Sequence, residues 1–235
     1  MQLDIRGTFA SKGFQISSEQ EAQFIKYLEL LQSWNEKLNL VADSSESEII
    51  SRHFLDSLEV TKYADFDSTT KVIDVGTGAG FPGLPLAIFT ESHFTLVDSL
   101  NKRLVFLEHV IKELCLTNVV CVHSRFEDLA HNQIYREKFD YAVSRAVAPL
   151  NVLLEFTLPF LSNNGFLLAH KGSLLSDELL NAGKALSILK GNVVNVYDYI
   201  DDKEIQRYIV KVQKMSSISN KFPRRPGTPK STPII

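Results

Sequence analysis

The stretch that most restricts the fold spans residues 71–86, KVIDVGTGAGFPGLPL. Val72, Ile73 and Val75 make a short apolar run of the kind that forms a buried strand, with Asp74 near its carboxyl end. Gly76, Gly78 and Gly80 follow at alternate positions, then Phe81, Pro82 and Gly83. A second apolar run (Leu84, Leu86, Ala87, Ile88) has helical character. Strand, glycine turn and helix together form a nucleotide-binding βα unit. Glycine suits such a turn because the backbone must bend tightly and approach a ligand that a Cβ would obstruct. The spacing is G-x-G-x-G behind an acidic residue, whereas the dinucleotide fingerprint is G-x-G-x-x-G, with amides aimed at a pyrophosphate.

This variant resembles motif I of the S-adenosylmethionine-dependent methyltransferases, whose ligand has no phosphate. On its own, a glycine-rich turn is equally a tight strand-to-helix connection. A second feature stands in register with it. Residues 94–97 (FTLV) read as another buried strand with Asp98 at its end. An acid there, about 20 residues after the glycines, is placed to accept hydrogen bonds from ribose hydroxyls.

Composition sets the outer bounds. The 235 residues, 44% of them hydrophobic, suffice for one α/β domain with an appendage or for two small domains. No apolar run reaches the length of a membrane-spanning helix, and the opening MQLDIRGTFASKGF lacks the basic-then-apolar order of a signal peptide. A cytoplasmic protein with no membrane partner is expected. The two cysteines, Cys115 and Cys121, have no histidine at zinc-like spacing. They are expected as buried thiols in a reducing cytosol, with no metal site. A formal charge of −3 does not advertise nucleic-acid binding, although a net value hides local patches.

The chain opens with helices. Ser18 followed by Glu21 has the capping-box pattern, and Phe24, Tyr27, Leu28, Leu31, Trp34 and Leu38 then recur at helical spacing. A second helix is expected from Ser45 or Ser47, carrying Ile49, Ile50, Phe54 and Leu58. Arg52, His53 and Asp56 partly share a face of it and read as a polar surface closing over a domain junction. Trp34 is expected to anchor the two helices to each other. The polar stretch 64–70 (ADFDSTT) marks a seam before the sheet. From Lys71 strands and helices alternate, which implies a mostly parallel sheet. Strands are expected at 71–75, 94–98, 119–123, 139–144 and 165–170, with helices at 101–114 and near 177–189. Two alternating runs, 193–199 and 208–212, flank a charged DDKE and read as a terminal antiparallel hairpin. The predicted fold is α/β: a Rossmann-like S-adenosylmethionine-dependent methyltransferase fold with a seven-stranded sheet. A helical extension is expected over 1–65, the methyltransferase domain over 66–215 and a basic, proline-rich tail over 216–235.

Ligands in such sheets bind beyond the carboxyl ends of the strands. That rule nominates Gly76 to Phe81, Gly78 among them, after the first strand, and Asp98 after the second, with Ser99 expected to cap the next helix. Residues 124–128 follow the third strand, where a short turn offers an apolar side chain or backbone amides to adenine. Ser144, Arg145 and Ala146 follow the fourth. Arg145 is suited to hold a carboxylate, a phosphate or a substrate base, because function collects on loops at this edge.

Longer words make a family resemblance specific: WNEKLNL (34–40), RHFLDSL (52–58), DVGTGAGFPGLPLAI (74–88), LVDSLNKRLVFL (96–107), SRAVAPL (144–150) and RRPGTP (224–229). In this order they resemble the small-subunit ribosomal RNA methyltransferase G family, also called glucose-inhibited division protein B. The resemblance implies methylation of N7 of a guanine in 16S rRNA, with S-adenosylmethionine as cofactor and the rRNA or small ribosomal subunit as partner. It places cofactor contacts on Gly76, Phe81, the backbone around Phe126 and Glu127, and Arg145. Asn101 departs from the family, where many relatives carry glycine before the Lys102-Arg103 pair.

The segment from Lys211 onward holds six basic residues at 211, 214, 221, 224, 225 and 230 and no acidic one. Its prolines forbid a regular helix or an interior strand, and composition alone fits a solvated tail. Given the resemblance, it is expected to dock RNA phosphates through Arg224 and Arg225, with Lys102 and Arg103 as further contacts. Guanine N7 needs no proton removed, so in-line transfer is expected without a general base, and Arg145 is a candidate to position the base. A monomer is expected. Other readings stay open at this point: the same fold acting on a protein or small molecule, an NAD-dependent oxidoreductase, or a non-catalytic RNA-binding protein.

Overall fold

The computed structural model describes residues 4–235; residues 1–3 of the expected extension lie outside them. Helix α1 spans Ile5–Ser11 and α2 spans Ser18–Leu38, which ends where Asn39 turns left-handed at φ 49°. A continuous helical run follows: α3 (Glu46–Glu48), a π-helical segment (Ile49–Leu55), α4 (Asp56–Leu58) and a 3-10 turn (Glu59–Lys62). Then come β1 (Lys71–Val75), α5 (Gly83–Phe89), β2 (His93–Asp98), α6 (Asn101–Glu113), β3 (Val119–His123), α7 (Phe126–Leu129) and β4 (Phe139–Arg145). Helix α8 (Leu150–Thr157), β5 (Leu161–Lys171), α9 (Leu175–Ile188), β6 (Gly191–Ile200), β7 (Gln206–Lys214) and α10 (Thr228–Ser231) complete the described chain.

The strands form one sheet in the order β3-β2-β1-β4-β5-β7-β6. Strands β1 to β5 pair in parallel, while β7 is antiparallel to both β5 and β6. The expected seven-stranded, mostly parallel sheet with its terminal hairpin is therefore present. Strand order reverses between β1 and β4, which puts the switch-point crevice beside the glycine turn. Alternation assigns the two faces. Val72, Leu96, Val143 and Leu168 join the buried cluster of α1, α2, the helical run, α5 and α6. Ile73, Val97, Ala142 and Leu167 join the cluster under α8 and α9.

The N-terminal helices share one core with the sheet: Phe24, Tyr27, Leu31 and Phe54 cluster with Val72, Leu84 and Leu107. Tyr27 is fully buried, and its hydroxyl donates to the Ala79 carbonyl at 2.6 Å, pinning α2 to the glycine turn. The stretch 64–70 is thus a turn within one packed body.

Several local expectations are corrected. The capping box is Ser17 with Gln20, one residue earlier than Ser18 with Glu21. Gln20 also donates to the Ile88 and Phe89 carbonyls, so contacts with α5 help set the register. Trp34 packs on Phe106 and His109 of α6, at 5.6 and 5.4 Å, rather than between the first two long helices. Cys115 is exposed, because it lies at φ 53° in the turn that ends α6. Cys121 is only half-buried on the edge strand β3, where burial pushes its thiol up to about 12.

The C-terminal segment follows a fixed course across the second cluster, with Ile218 and Ile234 buried in it. The Arg136 guanidinium donates to the carbonyls of Ile218, Ser219 and Phe222 at 2.9, 3.4 and 3.0 Å. It is a strap, and α10 adds one helical turn where none was expected.

Candidate active site

The glycine turn is built where β1 ends. Gly76 and Thr77 N–H both donate to the Val97 carbonyl, at 3.0 and 3.2 Å, and Gly80 and Phe81 N–H return to the Thr77 carbonyl. Gly76 has φ 79°, and a Cβ there would stand 2.6 Å from Val147 Cγ2 and 3.5 Å from Phe126 Cζ. Only glycine therefore lets the loop after β4 and the ring of Phe126 close on the turn. Gly78, at φ 62°, has only the Gly76 carbonyl, at 3.9 Å, near its would-be Cβ. Its outer side is open.

Asp98 ties this turn to β2. Its Oδ2 accepts from Gly78 N–H at 3.0 Å and from Arg103 at 3.1 Å, while Oδ1 accepts from Leu100 N–H at 2.9 Å. Ser99 does not cap the next helix as expected: Leu100 stands at the N-cap, and among the described residues no side chain bonds the first helical amides. Of roughly four acceptor sites on a carboxylate, one remains for a ligand hydroxyl. Phe126 and Glu127 open α7; the Phe126 ring packs on Phe156 at 5.4 Å, and Glu127 accepts from Gly227 N–H at 3.0 Å.

Asp74 lies behind the turn, fully buried. Its Oδ2 accepts from Thr77 Oγ1 at 2.7 Å and from Gly83 N–H at 2.9 Å, while Oδ1 has no partner among the described residues. Burial pushes its carboxyl up from 3.8 to about 7, against those two hydrogen bonds. The folded chain therefore retains a proton that the unfolded chain releases near pH 4. The stability linked to that proton is fully present below the unfolded pKa and is lost as pH rises through about 7. Asp74→Asn is expected to melt above the wild type at pH 8 without ligand, the gap closing toward about pH 4; equal melting at both pH values contradicts the assignment.

Arg145, at the end of β4, gathers residues from across the edge. Its guanidinium donates to Asp56 Oδ2 at 3.0 Å and to His53 Nδ1 at 2.8 Å, and lies 5.1 Å from the Phe81 ring centre. His53 stacks on that same ring at 4.7 Å, with Tyr27 at 5.6 Å on the glycine-turn side. Phe81 is therefore a hub that couples the turn to the helical run. Burial, followed by the charge of Arg145, pushes His53 down to about 4. Burial works against the Asp56 charge, yet His170, Arg145 and the Tyr199 hydroxyl hold its carboxyl below its ordinary value. Ala146, the next residue, sits at φ 56°, strain of the sort that collects at functional turns.

Gly76, Gly78, Asp98 and Phe126 thus converge on one side of the crevice, and Phe81 with Arg145 on its rim. Arg103 is tied to Asp98, whereas Lys102 is exposed. Arg224 lies elsewhere, clamped on Glu155 beneath the strap, and Arg225 is exposed. Arg103 spends one Nη1–H on Asp98 with its side chain 36% exposed, whereas Arg224 has its Nε and Nη2 on Glu155 and its Nη1 on the Thr232 carbonyl. Sequence reasoning missed His170 and Tyr199, which meet Asp56 from β5 and β6. It read Arg52, His53 and Asp56 as a junction surface, although His53 and Asp56 hold Arg145. Their signal was the repeat of ionisable residues one helical turn apart.

Comparison with known proteins agrees with this geometry. Among solved structures, the chain resembles a SAM-dependent methyltransferase from Aquifex aeolicus, with TM-score 0.55 and 16% identity over 73% of this chain and 94% of that one. It also resembles the cyclase SpnF, with TM-score 0.56 and 14% identity over 86% and 97%. Such likeness shows the fold, and a cyclase among the neighbours makes plain that the fold does not choose the reaction. Sequence relatives are closer. "Ribosomal RNA small subunit methyltransferase G" of Clostridium botulinum (strain Eklund 17B / Type B) is 45% identical over 224 residues, 94% of either chain. With a family model for rRNA small subunit methyltransferase G matching residues 20–209 as well, the chain belongs to the rRNA small subunit methyltransferase G family.

Proposed function

We propose that the chain transfers a methyl group from S-adenosylmethionine to N7 of a guanine in 16S rRNA, by in-line displacement without a general base. The carrying observation is the crevice itself: a left-handed Gly78 bonded to Asp98, facing Arg145 across the point where strand order reverses. The residues present fit the cofactor. The open side of Gly78 leaves room for a ligand against the backbone, Asp98 keeps an acceptor for ribose, and the Phe126 ring offers apolar surface to adenine.

When bound, S-adenosylmethionine supplies an electrophilic methyl carbon on a positive sulfonium, with a neutral thioether as leaving group. Gly78, Asp98 and Phe126 would hold that cofactor, and a guanine N7 lone pair would need no base beside it, because N7 has no proton to lose. The protein's part is alignment and exclusion of water. Arg145, held from two sides by Asp56 and His53, is a fixed guanidinium at the rim that orients the acceptor. Lys102 and Arg225, both exposed, serve as phosphate contacts, so affinity falls with salt. Action on ribosomal RNA implies a cytoplasmic location.

Small ribosomal subunits from cells lacking the protein test this, using cofactor tritiated on the methyl. Label on N7 of a single guanine is expected. Label on another atom, on ribosomal protein, or on no acceptor overturns it.

A further inference from the structure

On the far side of Arg145 a second cavity of about 380 Å³ opens at the same sheet edge. His53 and Asp56 reach it from the helical run, Arg145 from β4, His170 and Lys171 from β5, and Tyr199 from β6. The cofactor residues follow β1, β2 and β3, so β4 divides the two spaces. A cavity near the lower end of the range for small-ligand sites, about 300–1,000 Å³, suits a single extruded base.

Two features mark it as built for a ligand. His170 is 7% exposed, and neither of its ring nitrogens has a hydrogen-bond partner among the described residues. A buried polar group left that way carries a desolvation cost that no hydrogen bond offsets, the nearest carboxylate, Asp56, standing 3.7 Å from Nδ1. Asp56 is likewise prepared. Its Oδ1 accepts from the Tyr199 hydroxyl at 2.5 Å and its Oδ2 from Arg145 at 3.0 Å, which leaves each oxygen a second lone pair. Burial keeps His170 neutral near pH 7, with a value of about 4, so its ring offers one donor and one acceptor.

We propose that this cavity receives the extruded guanine, with Asp56 and His170 reading its N1–H and N2–H edge, an inference that rests on the methyl-transfer reading above. Among the four bases only guanine presents an N1–H and an amino group side by side. Adenine offers a lone pair at N1, which the Asp56 carboxylate repels. Holding the N1–N2 side of the purine in the cavity turns the opposite side, with N7, back toward β4 and the glycine turn.

The test compares wild type, His170→Leu and His170→Gln on small subunits, with cofactor affinity by calorimetry and melting temperature measured alongside. His170→Leu is expected to lose about tenfold or more in kcat/KM for the acceptor, while cofactor Kd stays within about twofold. His170→Gln, which restores a donor and an acceptor, is expected to recover most of that loss. As a soluble probe, GMP is expected to inhibit the wild type better than AMP and to lose that preference in His170→Leu. Unchanged kcat/KM, cofactor affinity that falls in step with activity, or equal inhibition by GMP and AMP overturns the pocket assignment alone. A wild type that methylates no guanine removes the reading beneath it as well.

Discussion

Gly76→Arg is expected to abolish S-adenosylmethionine binding in calorimetry while leaving the chain folded. A left-handed φ of 79° costs a non-glycine residue roughly 1–2 kcal/mol. The larger effect is steric. Any Cβ at this position would stand 2.6 Å from Val147 Cγ2, and a long side chain has to push aside the loop after β4 or enter the crevice. Either route displaces Arg145 or fills the cofactor space. The strands beneath are unaffected, so melting should fall by only a few degrees, at about 2–4 °C per kcal/mol for a chain of this size. A variant that binds cofactor within tenfold of the wild type contradicts the placement; a variant that unfolds calls for the same measurement on Gly76→Ala, where weakened binding is also expected.

The second large effect lies far from the crevice. Glu155 is 1% exposed inside the apolar helix LNVLLEFT, and Arg224 grips both its oxygens, through Nε at 3.0 and 3.1 Å and Nη2 at 2.7 Å. The remaining Nη1 donates to the Thr232 carbonyl at 2.9 Å. Arg224→Ala leaves a buried carboxylate with the backbone N–H of position 224 but without its guanidinium, a loss of about 3–5 kcal/mol, read as a melting point lower by roughly 10 °C. Arg225→Ala is the contrast. Its side chain is exposed, so stability should move by no more than about 0.5 kcal/mol, while RNA affinity falls and its salt dependence becomes shallower by about one ion. Should Arg224→Ala melt with the wild type and bind RNA weakly, Arg224 returns to the RNA surface.

Strand positions were legible because each announces itself locally. Residues 71–75 and 119–123 coincide with β1 and β3, and the DDKE break falls between the hairpin strands as expected. The glycine turn and Asp98 were legible for the same reason, since motif spacing is a local property. The Arg145 cluster was not. Its members are 89 and 92 positions apart in the chain, and they meet only because the helical run crosses the carboxyl edge of the sheet. Single polar residues in apolar surroundings were the overlooked signal: His170 closes the run FLLAH, and Glu155 interrupts LNVLLEFT. A lone charge in such a helix requires a buried partner. Arg224 supplies it, and a basic strip that looked like a phosphate surface proves to be partly an internal clamp.

The bond from Gly227 N–H to Glu127 joins positions 100 residues apart, and it fastens the short helix that begins with Phe126. Gly227 is synthesised 100 residues after Glu127. A nascent polypeptide has its glycine loop and both carboxylates long before this fastening exists, so the adenine side of the crevice is finished only once Gly227 has been made. Chains cut short before Gly227 should therefore accumulate as folded but poorly binding products.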